Sequence, residues 1–298
     1  MKHWLAALLT AALVFTALAT SAEETAPANF GDAFAEHFLA DGETPVITEY
    51  TYTSSTLSIE ITLLRENKSD IYVADIWLSD MGQLRRGFGN GKWRTKMKTV
   101  KTIAQQENAL LALTGDNGHN FDKGVVFANG VRLRKTLNRK RDVCVIMMDG
   151  SMEVIPGAQL TADKLEALTG QVWQSFLFGP GLFDDEGHAL PKFSGGVSPA
   201  NPRAVIGYYE PGHYCLVQVD GRGTKSRFSG KNSGMTLKQL ADYMESLGCK
   251  KAYNLDGGQS ALMWFNGQVI STPYKGGRAV GDIVYVIDTV ADAPAQGE

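Results

Sequence analysis

The sequence predicts an α+β fold: a single domain of mixed, largely antiparallel, twisted β-sheet with a few flanking helices. Alternating apolar and polar residues dominate from Val46 onward, as in "TLSIEITLL" (56–64) and "DIYVADIWLS" (70–79), and this pattern is typical of half-buried strands. Helical spacing of apolar residues marks only short segments. The regular strand–helix alternation that builds a doubly wound parallel sheet is missing, so we expect antiparallel pairing.

One helix and several short strands are predicted in the first half of the domain. The helix covers Val100–Asn108, because Ile103 and Ala104 lie at helical spacing from its first residue. Asn129-Gly130 in "FANGVRL" predicts a tight hairpin. The short strands are Leu110–Leu113, Val125–Phe127, Val131–Leu133, Val143–Met148 and Val172–Leu177.

The second half contains a strand pair and the best-marked helix. Ala204–Tyr208 and Tyr214–Val219 are expected to pair around the turn "EPGH". Thr236 and Gln239 form the pattern of a capping box at a helix start, and Gly248 is placed to end that helix. The apolar stripe of the helix consists of Leu237, Leu240, Ala241, Met244 and Leu247.

The N-terminus resembles a signal peptide. Lys2 and His3 precede an uncharged apolar run, Trp4–Ala19, and small residues then offer a cleavage site after Ala22. The alternative is a membrane anchor, which needs about 20 apolar residues, and this run is slightly short. We therefore predict an exported mature protein that is secreted, periplasmic or associated with the cell envelope. The predicted boundaries are 1–22 for the signal peptide, 23–45 for a polar lead-in with an amphipathic patch around Phe30–Leu39, 46–288 for the domain and 289–298 for a C-terminal tail.

Composition argues against two classes of partner. The net charge is −3, and removal of residues 1–22 makes it −4, which disfavours binding to nucleic acid or to an anionic membrane surface. No integral membrane segment is expected after cleavage. The three cysteines, Cys144, Cys215 and Cys249, have no metal-ligand spacing and are expected to be buried free thiols. A Cys215–Cys249 disulfide is the alternative.

Four aspartates end apolar strands and precede flexible residues: Asp116, Asp149, Asp220 and Asp256. Asp-Gly after a strand is mostly turn chemistry, and we assign Asp149 to a turn. Asp256 differs, because two glycines follow it. Glycines permit positive φ and close approach of a ligand to the backbone, and consecutive N–H groups there can bind an anion.

Side chains of other types complete a candidate site. Asn254 shares a strand face with Asp256. Arg203, Arg222 and Arg278 stand at the start of a strand or after glycine, and arginine is suited to a two-donor grip on phosphate. Together these residues suggest a site that holds a phosphate and performs acid–base chemistry beside it.

Six segments of the sequence match one known family in the same order. They are "LLALTGDNGHNFDKGVVFANGVRLR" (110–134), "FGPGLFDDEG" (178–187), "NPRAVIGYY" (201–209), "HYCLVQVDGR" (213–222), "SGMTLKQLADYMESLGCKKAYNLDGGQSALMWFNG" (233–267) and "GGRAVGDIVYV" (276–286). These segments resemble the phosphodiester glycosidase domain family. That family includes the lysosomal enzyme that removes N-acetylglucosamine from mannose 6-phosphate, and exported bacterial relatives associated with exopolysaccharide. The similarity runs from about Val46 to about Ile287.

The resemblance implies an exported hydrolase that cleaves a sugar-1-phosphodiester in a cell-envelope or extracellular glycan or phosphopolymer. Asp256 and Asp116 are expected to form the catalytic carboxylate pair, with Asp220 in reserve. Arg203, Arg222 and Arg278 are expected to hold phosphate. Oxygens of the sugar or phosphate would be bound by Asn254, Ser260, His119 and the backbone of Gly257 and Gly258. No cofactor is expected.

Two alternatives stay open. The family usually has "NGD" and "DGGGSS", where this chain has Thr114-Gly115-Asp116 and "DGGQSA". Thr114 in the first motif, and Gln259 and Ala261 in the second, motivate a non-catalytic glycan- or phosphopolymer-binding protein with the same fold. Asp116, Asn254 and Asp256 could supply oxygen ligands to Ca²⁺ or Mg²⁺, but no metal-binding loop spacing is present and we predict no metal. His119 could equally be a solvated loop histidine.

Overall fold

A computed structural model describes residues 26–289, and the predicted signal peptide lies outside them. These residues form nineteen strands and three α-helices. Within this range no helix combines the length and apolar character needed to cross a bilayer. The helices are α1 Val100–Gln106, α2 Ala162–Ala167 and α3 Leu237–Ser246. The strands are β1 Val46–Ile47, β2 Thr51–Thr53, β3 Leu57–Glu66, β4 Ser69–Leu78, β5 Leu84–Phe88, β6 Lys98–Thr99, β7 Leu111–Thr114, β8 Val126–Ala128, β9 Val131–Arg134, β10 Val143–Met147, β11 Met152–Ile155, β12 Val172–Phe176, β13 Arg203–Glu210, β14 His213–Val219, β15 Lys251–Asn254, β16 Met263–Phe265, β17 Gln268–Val269, β18 Ala279–Val280 and β19 Asp282–Val286. Short 3₁₀-helices lie at Gly31–His37, Met81–Gln83, Gly89–Gly91, Gly118–Asn120, Gly157–Gln159 and Tyr274–Gly276.

Antiparallel pairing organises the sheets. The largest sheet has seven strands in the order β1-β2-β3-β4-β14-β13-β15. A second has five strands in the order β17-β16-β7-β19-β5, and a third has three in the order β11-β10-β12. Two-stranded ladders join β18 to β6 and β8 to β9. Neighbouring strands in all five sheets run antiparallel, which confirms the predicted fold class.

The main core lies between the seven-stranded sheet and the two other larger sheets. Alternate residues of β4 and β14, such as Ile76 and Leu216, face Leu113 of β7, Val284 of β19 and Phe176 of β12. Burial of each such side chain contributes about 1.5–3 kcal/mol to folding. The outer face of the seven-stranded sheet is covered by α3, and that of the five-stranded sheet by α1. The result is a layered α+β domain.

The structure confirms the predicted local signals. Asn129 and Gly130 both have positive φ between β8 and β9, as the hairpin requires. Thr236 and Gln239 form the capping box of α3, and Gly248 has φ 82° just after that helix. The α1 helix ends at Gln106, two residues before the predicted end. Several elements were not predicted, among them β5, β11 and α2.

Two further expectations, on the lead-in and on the cysteines, can also be compared with the structure. The lead-in packs onto the domain through a buried Phe34, and His37 stacks on Trp77 with ring centroids 4.2 Å apart. All three cysteines are buried and free, as predicted. The sulfurs of Cys215 and Cys249 are 3.7 Å apart, so the alternative disulfide pairing stays a hypothesis.

Candidate active site

The loop after β15 carries the motif that the sequence singled out. A Cβ on Gly257 would lie 2.6 Å from the carbonyl oxygen of Pro202, so the backbone requires glycine there. Gly258 has φ +62°, and a Cβ at this position would lie 2.9 Å from a guanidinium nitrogen of Arg222. Both glycines therefore allow the loop to pass close to β13 and Arg222.

A cleft of about 240 Å³ opens beside this loop. It contains the predicted Asp256, both glycines of the motif and all three predicted arginines. The residues that line it are Phe178, Gly196, Val197, Asn201, Arg203, Arg222, Asp256, Gly257, Gly258, Gln259 and Arg278. Among these lining residues Asp256 is the only carboxylate, so the wall of the cleft has a clear excess of positive charge.

Asp256 is held on the cleft wall by two side chains. Arg278 Nη2 donates to its Oδ2 at 3.1 Å, and Arg278 Nε donates to Ser260 Oγ at 2.6 Å. The side chain of Asp256 is mostly buried, and that burial raises its pKa above the usual aspartate value. Hydrogen bonding from Ser260 and the charge of Arg278 oppose this increase but do not cancel it. The carboxylate is therefore both oriented and poorly solvated.

Arg203 lies in the cleft, but its donors are largely occupied by the protein. Its Nε donates to the carbonyl of Met235, and its Nη2 donates to the carbonyls of Val197 and Pro199 at 2.7 and 2.6 Å. Burial, with the nearby charge of Arg222, lowers its pKa to about 10, so it still carries its charge at neutral pH. Arg203 thus holds the 197–199 segment in place at the cleft in addition to supplying positive charge.

Arg222 and Arg278 present their guanidinium groups more openly. Arg222 is exposed, donates from Nε to Asn201 Oδ1 at 3.0 Å and lies over the ring of Tyr274. The side chain of Arg278 is 49% exposed. Both groups keep N–H donors that a bound anion can reach.

Gln259 connects two sides of the cleft. Its Nε2 donates to the carbonyl of Gly277 at 3.0 Å, directly before Arg278 in the chain. Ser260 is buried behind the cleft wall, where Thr114 Oγ1 donates to its carbonyl. Ala261 is fully buried, so its side chain does not reach the cleft. Of the two departures from the usual family motif, Gln259 is therefore the one that faces the site.

Asp116 does not line the cleft, contrary to the predicted carboxylate pair. It is buried behind Phe178, where Leu177 N donates to its Oδ2 at 2.8 Å. Its partner is Arg86, at 3.4 Å, which also pairs with Asp282. Burial raises the pKa of both carboxyls, that of Asp282 to about 7, and the charge of Arg86 opposes this increase but does not cancel it. A catalytic role for Asp116 stays a prediction that this arrangement does not support directly.

Asp220 is also placed away from the cleft lining. Its Oδ2 accepts from Thr272 N at 2.8 Å, and Gln218 Nε2 lies 3.4 Å from its Oδ1. Burial raises its pKa to about 6. These contacts tie the end of β14 to the segment after β17, which is a structural role. The predicted reserve carboxylate is thus not available at the cleft wall.

Asn254 and His119 also lie outside the lining. Asn254 is buried, and its Nδ2 donates to the carbonyl of Gly179 at 2.8 Å, which supports the segment that carries Phe178. His119 packs against Gly281 and is partly exposed, and burial together with the charge of Arg94 lowers its pKa. Their predicted contacts with substrate stay predictions.

The structure adds residues that the sequence reasoning missed. Phe178, Val197 and Asn201 line the cleft. Phe178 and Asn201 stand in segments that carry the family resemblance (178–187 and 201–209), whereas Val197 stands in none. Arg86 and Asp282 complete the buried cluster with Asp116. Arg86 did carry a signal, because a charged residue in the short strand "LRRGF" needs a partner if it is buried. Its two partners, however, are distant in sequence.

The arrangement is suited to binding an anion next to a positioned carboxylate. Three guanidinium groups can neutralise a phosphodiester, and Asp256 can exchange a proton or stabilise positive charge beside it. Within residues 26–289 no group of three or more histidine, cysteine, aspartate or glutamate side chains is arranged to hold a metal ion.

Comparisons with known proteins bear on the family and the fold of this chain. A profile of the phosphodiester glycosidase family matches residues 101–287. The SPbeta prophage-derived uncharacterized protein YomE of Bacillus subtilis is 27% identical over 201 residues, which cover 64% of this chain and 30% of that protein. The chain thus spans less than a third of this relative.

Two solved structures share the fold. The catalytic domain of zebrafish N-acetylglucosamine-1-phosphodiester alpha-N-acetylglucosaminidase, auto-inhibited by its pro-peptide, superposes with a TM-score of 0.60 at 19% identity, over 78% of this chain and 83% of that one. A hypothetical protein from Synechocystis gives 0.59 at 14% identity, over 83% and 64%. The family profile, which covers more than half of the sequence, shows that the chain belongs to the phosphodiester glycosidase family.

Proposed function

We propose that this protein is an exported hydrolase that cleaves a sugar-1-phosphodiester and releases the sugar from its phosphate-linked remainder. The observation that carries the proposal is the position of Asp256. Its carboxylate is fixed by Arg278 and Ser260 on the wall of a cleft that also contains Arg203 and Arg222. Family membership supports the reaction class, and the signal-like N-terminus supports export.

The three arginines that line the cleft are the reason for proposing an anionic substrate. A phosphodiester carries one negative charge, and guanidinium groups bind phosphate oxygens through paired donors. The cleft, at about 240 Å³, is smaller than the pockets of roughly 300–1,000 Å³ that enclose drug-sized ligands. It therefore suits one sugar phosphate unit, with the rest of the substrate outside.

The chemistry follows from where charge develops. Breaking the bond between C1 of the sugar and the bridging oxygen leaves positive charge on the ring, and the bond's electron pair leaves with the phosphate. The leaving phosphomonoester needs little protonation, because Arg222 and Arg278 stabilise its negative charge. Asp256 takes a proton from the attacking water, whose oxygen bonds to C1. This scheme needs one carboxylate at the cleft, which is what the structure provides.

The direct test is turnover of a panel of small sugar-1-phosphodiesters, including nucleoside diphosphate sugars, with detection of free reducing sugar. Hydrolysis in ¹⁸O-labelled water then identifies the bond that breaks. Cleavage at C1 leaves the released phosphomonoester free of ¹⁸O, whereas ¹⁸O in the phosphate would mean attack at phosphorus and would reject the glycosidase mechanism.

The alternative function is non-catalytic binding of an envelope glycan or phosphopolymer. The hydrogen bond from Gln259 to Gly277 favours this alternative, because the Gln259 side chain occupies space in the loop where the family usually has glycine. Absence of turnover across the panel, together with measurable polymer binding that Asp256→Asn leaves intact, would favour this alternative over hydrolysis.

A further inference from the structure

A basic hairpin begins at the mouth of the cleft. We call residues 221–233 the basic arm. Its two sides are joined by backbone hydrogen bonds, from Gly223 N to Asn232 O at 2.7 Å and from Ser226 N to Gly230 O at 3.1 Å. The arm starts beside the cleft, since Arg222 lines the cleft and Gly221 packs against Pro202.

The arm has an unusual charge for this protein. Its sequence, "GRGTKSRFSGKNS", contains four basic residues and no acidic one, although the whole chain has a net charge of −3. Lys225 and Lys231 lie directly opposite each other in the hairpin, and both are exposed. Like charges in opposite positions destabilise a strand pair. Neither lysine forms an ion pair with any residue of the 26–289 range.

The outer part of the arm is anchored to the domain close to its turn. Asp70, which is fully buried, accepts from Ser226 Oγ and from Arg227 N, both at 2.6 Å. Arg65 donates to Asp70, Ser226 and Asn232 at 2.8–3.0 Å. These contacts hold the arm against the domain in a fixed conformation, so its exposed side chains are presented in a defined place.

An exposed aromatic residue stands at the tip. Phe228 is 54% exposed, while its backbone N donates to Ser226 Oγ at 3.0 Å. Exposure of this apolar ring to water is unfavourable. The anchored turn nevertheless keeps the ring exposed, where it offers an apolar face to a ligand. An aromatic face flanked by lysines matches a chain that alternates sugar rings with phosphates.

We propose that the basic arm binds the remainder of a polymeric, phosphate-bearing glycan whose terminal sugar phosphate occupies the cleft. This inference rests on the proposed function for the nature of the cleft ligand. Lys225 and Lys231 pair with phosphates outside the cleft, and Phe228 packs against a sugar ring. Arg222 connects the two regions, because it belongs to both the arm and the cleft lining. Membrane binding requires a large buried apolar area, and the arm offers only one aromatic ring with two lysines. A polymer therefore fits the arm better than a lipid surface does.

The test compares Lys225→Gln/Lys231→Gln and Phe228→Ser with the wild-type protein. The matched control is Lys101→Gln/Lys164→Gln, which removes two exposed charges from α1 and α2 and does not touch the cleft. Binding is measured against a purified glycan joined by sugar-1-phosphodiester bonds, a neutral dextran, and vesicles of phosphatidylglycerol and phosphatidylcholine. Turnover of UDP-N-acetylglucosamine is measured in parallel, with melting temperatures as the folding control.

We expect the arm double variant to bind the phosphoglycan about fivefold to tenfold more weakly at low ionic strength. Its affinity should also depend less on salt, because binding without the two lysine–phosphate contacts releases fewer counterions. The control should bind as wild type, and small-substrate turnover should not change. Equal phosphoglycan affinity in wild type and arm variants would overturn the inference, as would arm-dependent binding to vesicles alone. If wild type binds the polymer through the arm but no phosphodiester is cleaved, the proposed function fails and the arm's role stands.

Discussion

At the scale of single residues, Asp256 combines a cost to folding with the proposed role in catalysis. Its raised pKa means that the folded protein disfavours the charged carboxylate, even with Arg278 at 3.1 Å. The folded state therefore gains stability from protonation of Asp256 and loses that contribution as the pH rises through its folded pKa. A group that is unfavourable for stability yet held in place is a common feature of catalytic sites.

Asp256→Asn should abolish hydrolysis, by about 10²–10⁴-fold or more if Asp256 is the general base. It should leave the melting temperature at neutral pH unchanged or higher, because the substitution removes a poorly solvated charge and keeps an acceptor for Arg278. Activity and thermal unfolding are measured on the same preparation. Retained activity would exclude Asp256 from the mechanism, and an unfolded variant would assign it a structural role.

Arg278→Gln should move the acidic limb of the pH–rate profile to higher pH. Arg278 lowers the pKa of Asp256, so without it the carboxylate stays protonated to a higher pH and fails as a base over a wider range. The profile of kcat/KM against pH measures this shift. Lys275→Gln removes a neighbouring exposed charge outside the cleft lining and should not move the limb. An unchanged limb in Arg278→Gln would mean that another group titrates.

Arg203→Lys should be damaging although the charge is kept. The single ammonium group of lysine cannot reproduce the planar set of guanidinium donors. Those donors bind the carbonyls of Met235, Val197 and Pro199. We expect a loss of about 1–3 kcal/mol of unfolding free energy, and a higher KM from a loosened 197–199 segment. Denaturant unfolding and steady-state kinetics measure the two effects. Wild-type values in both would show that the three carbonyl contacts contribute little.

At the scale of elements, the site is formed by loops that meet at the end of the seven-stranded sheet. The loop after β15 supplies Asp256, and the turn before β18 supplies Arg278. Gln259 joins these two loops through the carbonyl of Gly277. A side-chain hydrogen bond thus connects the two loops at a position where the family usually has glycine.

Gln259→Gly should change substrate preference and raise a weak activity on larger sugars, because it removes the side chain that lines the cleft and releases the Gly277 contact. Ala261→Ser should have no such effect, because Ala261 is fully buried away from the cleft. The two single variants and the double variant are compared on the same phosphodiester panel. Glycine costs up to about 1 kcal/mol of stability, which a melting curve separates from catalysis. Identical rates for wild type and Gln259→Gly would show that this departure is neutral.

At the scale of the whole molecule, buried acids make stability depend on pH. Asp220 has a folded pKa of about 6, above the ordinary value of 3.8. Its contribution to stability is therefore complete below about pH 4 and is lost as the pH rises through 6. The loss amounts to about 3 kcal/mol for a shift of this size. Asp282, which shares Arg86 with Asp116, acts in the same direction.

Asp220→Asn should flatten the stability profile between pH 4 and 7. The amide keeps an acceptor for Thr272 N, and Gln218 can turn its amide so that Oε1, buried and without a hydrogen-bond partner in the described part of the chain, accepts from the new amide. Urea unfolding at several pH values measures the slope. The same slope in both proteins would assign the pH dependence to other groups.

Local signals were readable from the sequence. The Asn129-Gly130 hairpin, the capping box at Thr236 and the glycines after Asp256 depend on neighbours within a few residues, so the sequence by itself determined them. The same holds for the α+β class, because period-two alternation reports which face of a strand is buried. The grouping of Asp256 with three arginines was also predicted, from residue types and from the family resemblance.

Only the tertiary structure decided which carboxylates reach the cleft. Asp116 and Asp256 look alike in sequence, since each ends an apolar strand and is followed by flexible residues. Arg86 and Asp282 draw Asp116 into a buried cluster, whereas Arg278 and Ser260 hold Asp256 at the cleft wall. Arg86 is thirty residues from Asp116, and Asp282 lies far beyond both. Burial and ion pairing between such distant residues depend on how the sheets pack, and no local pattern encodes that packing.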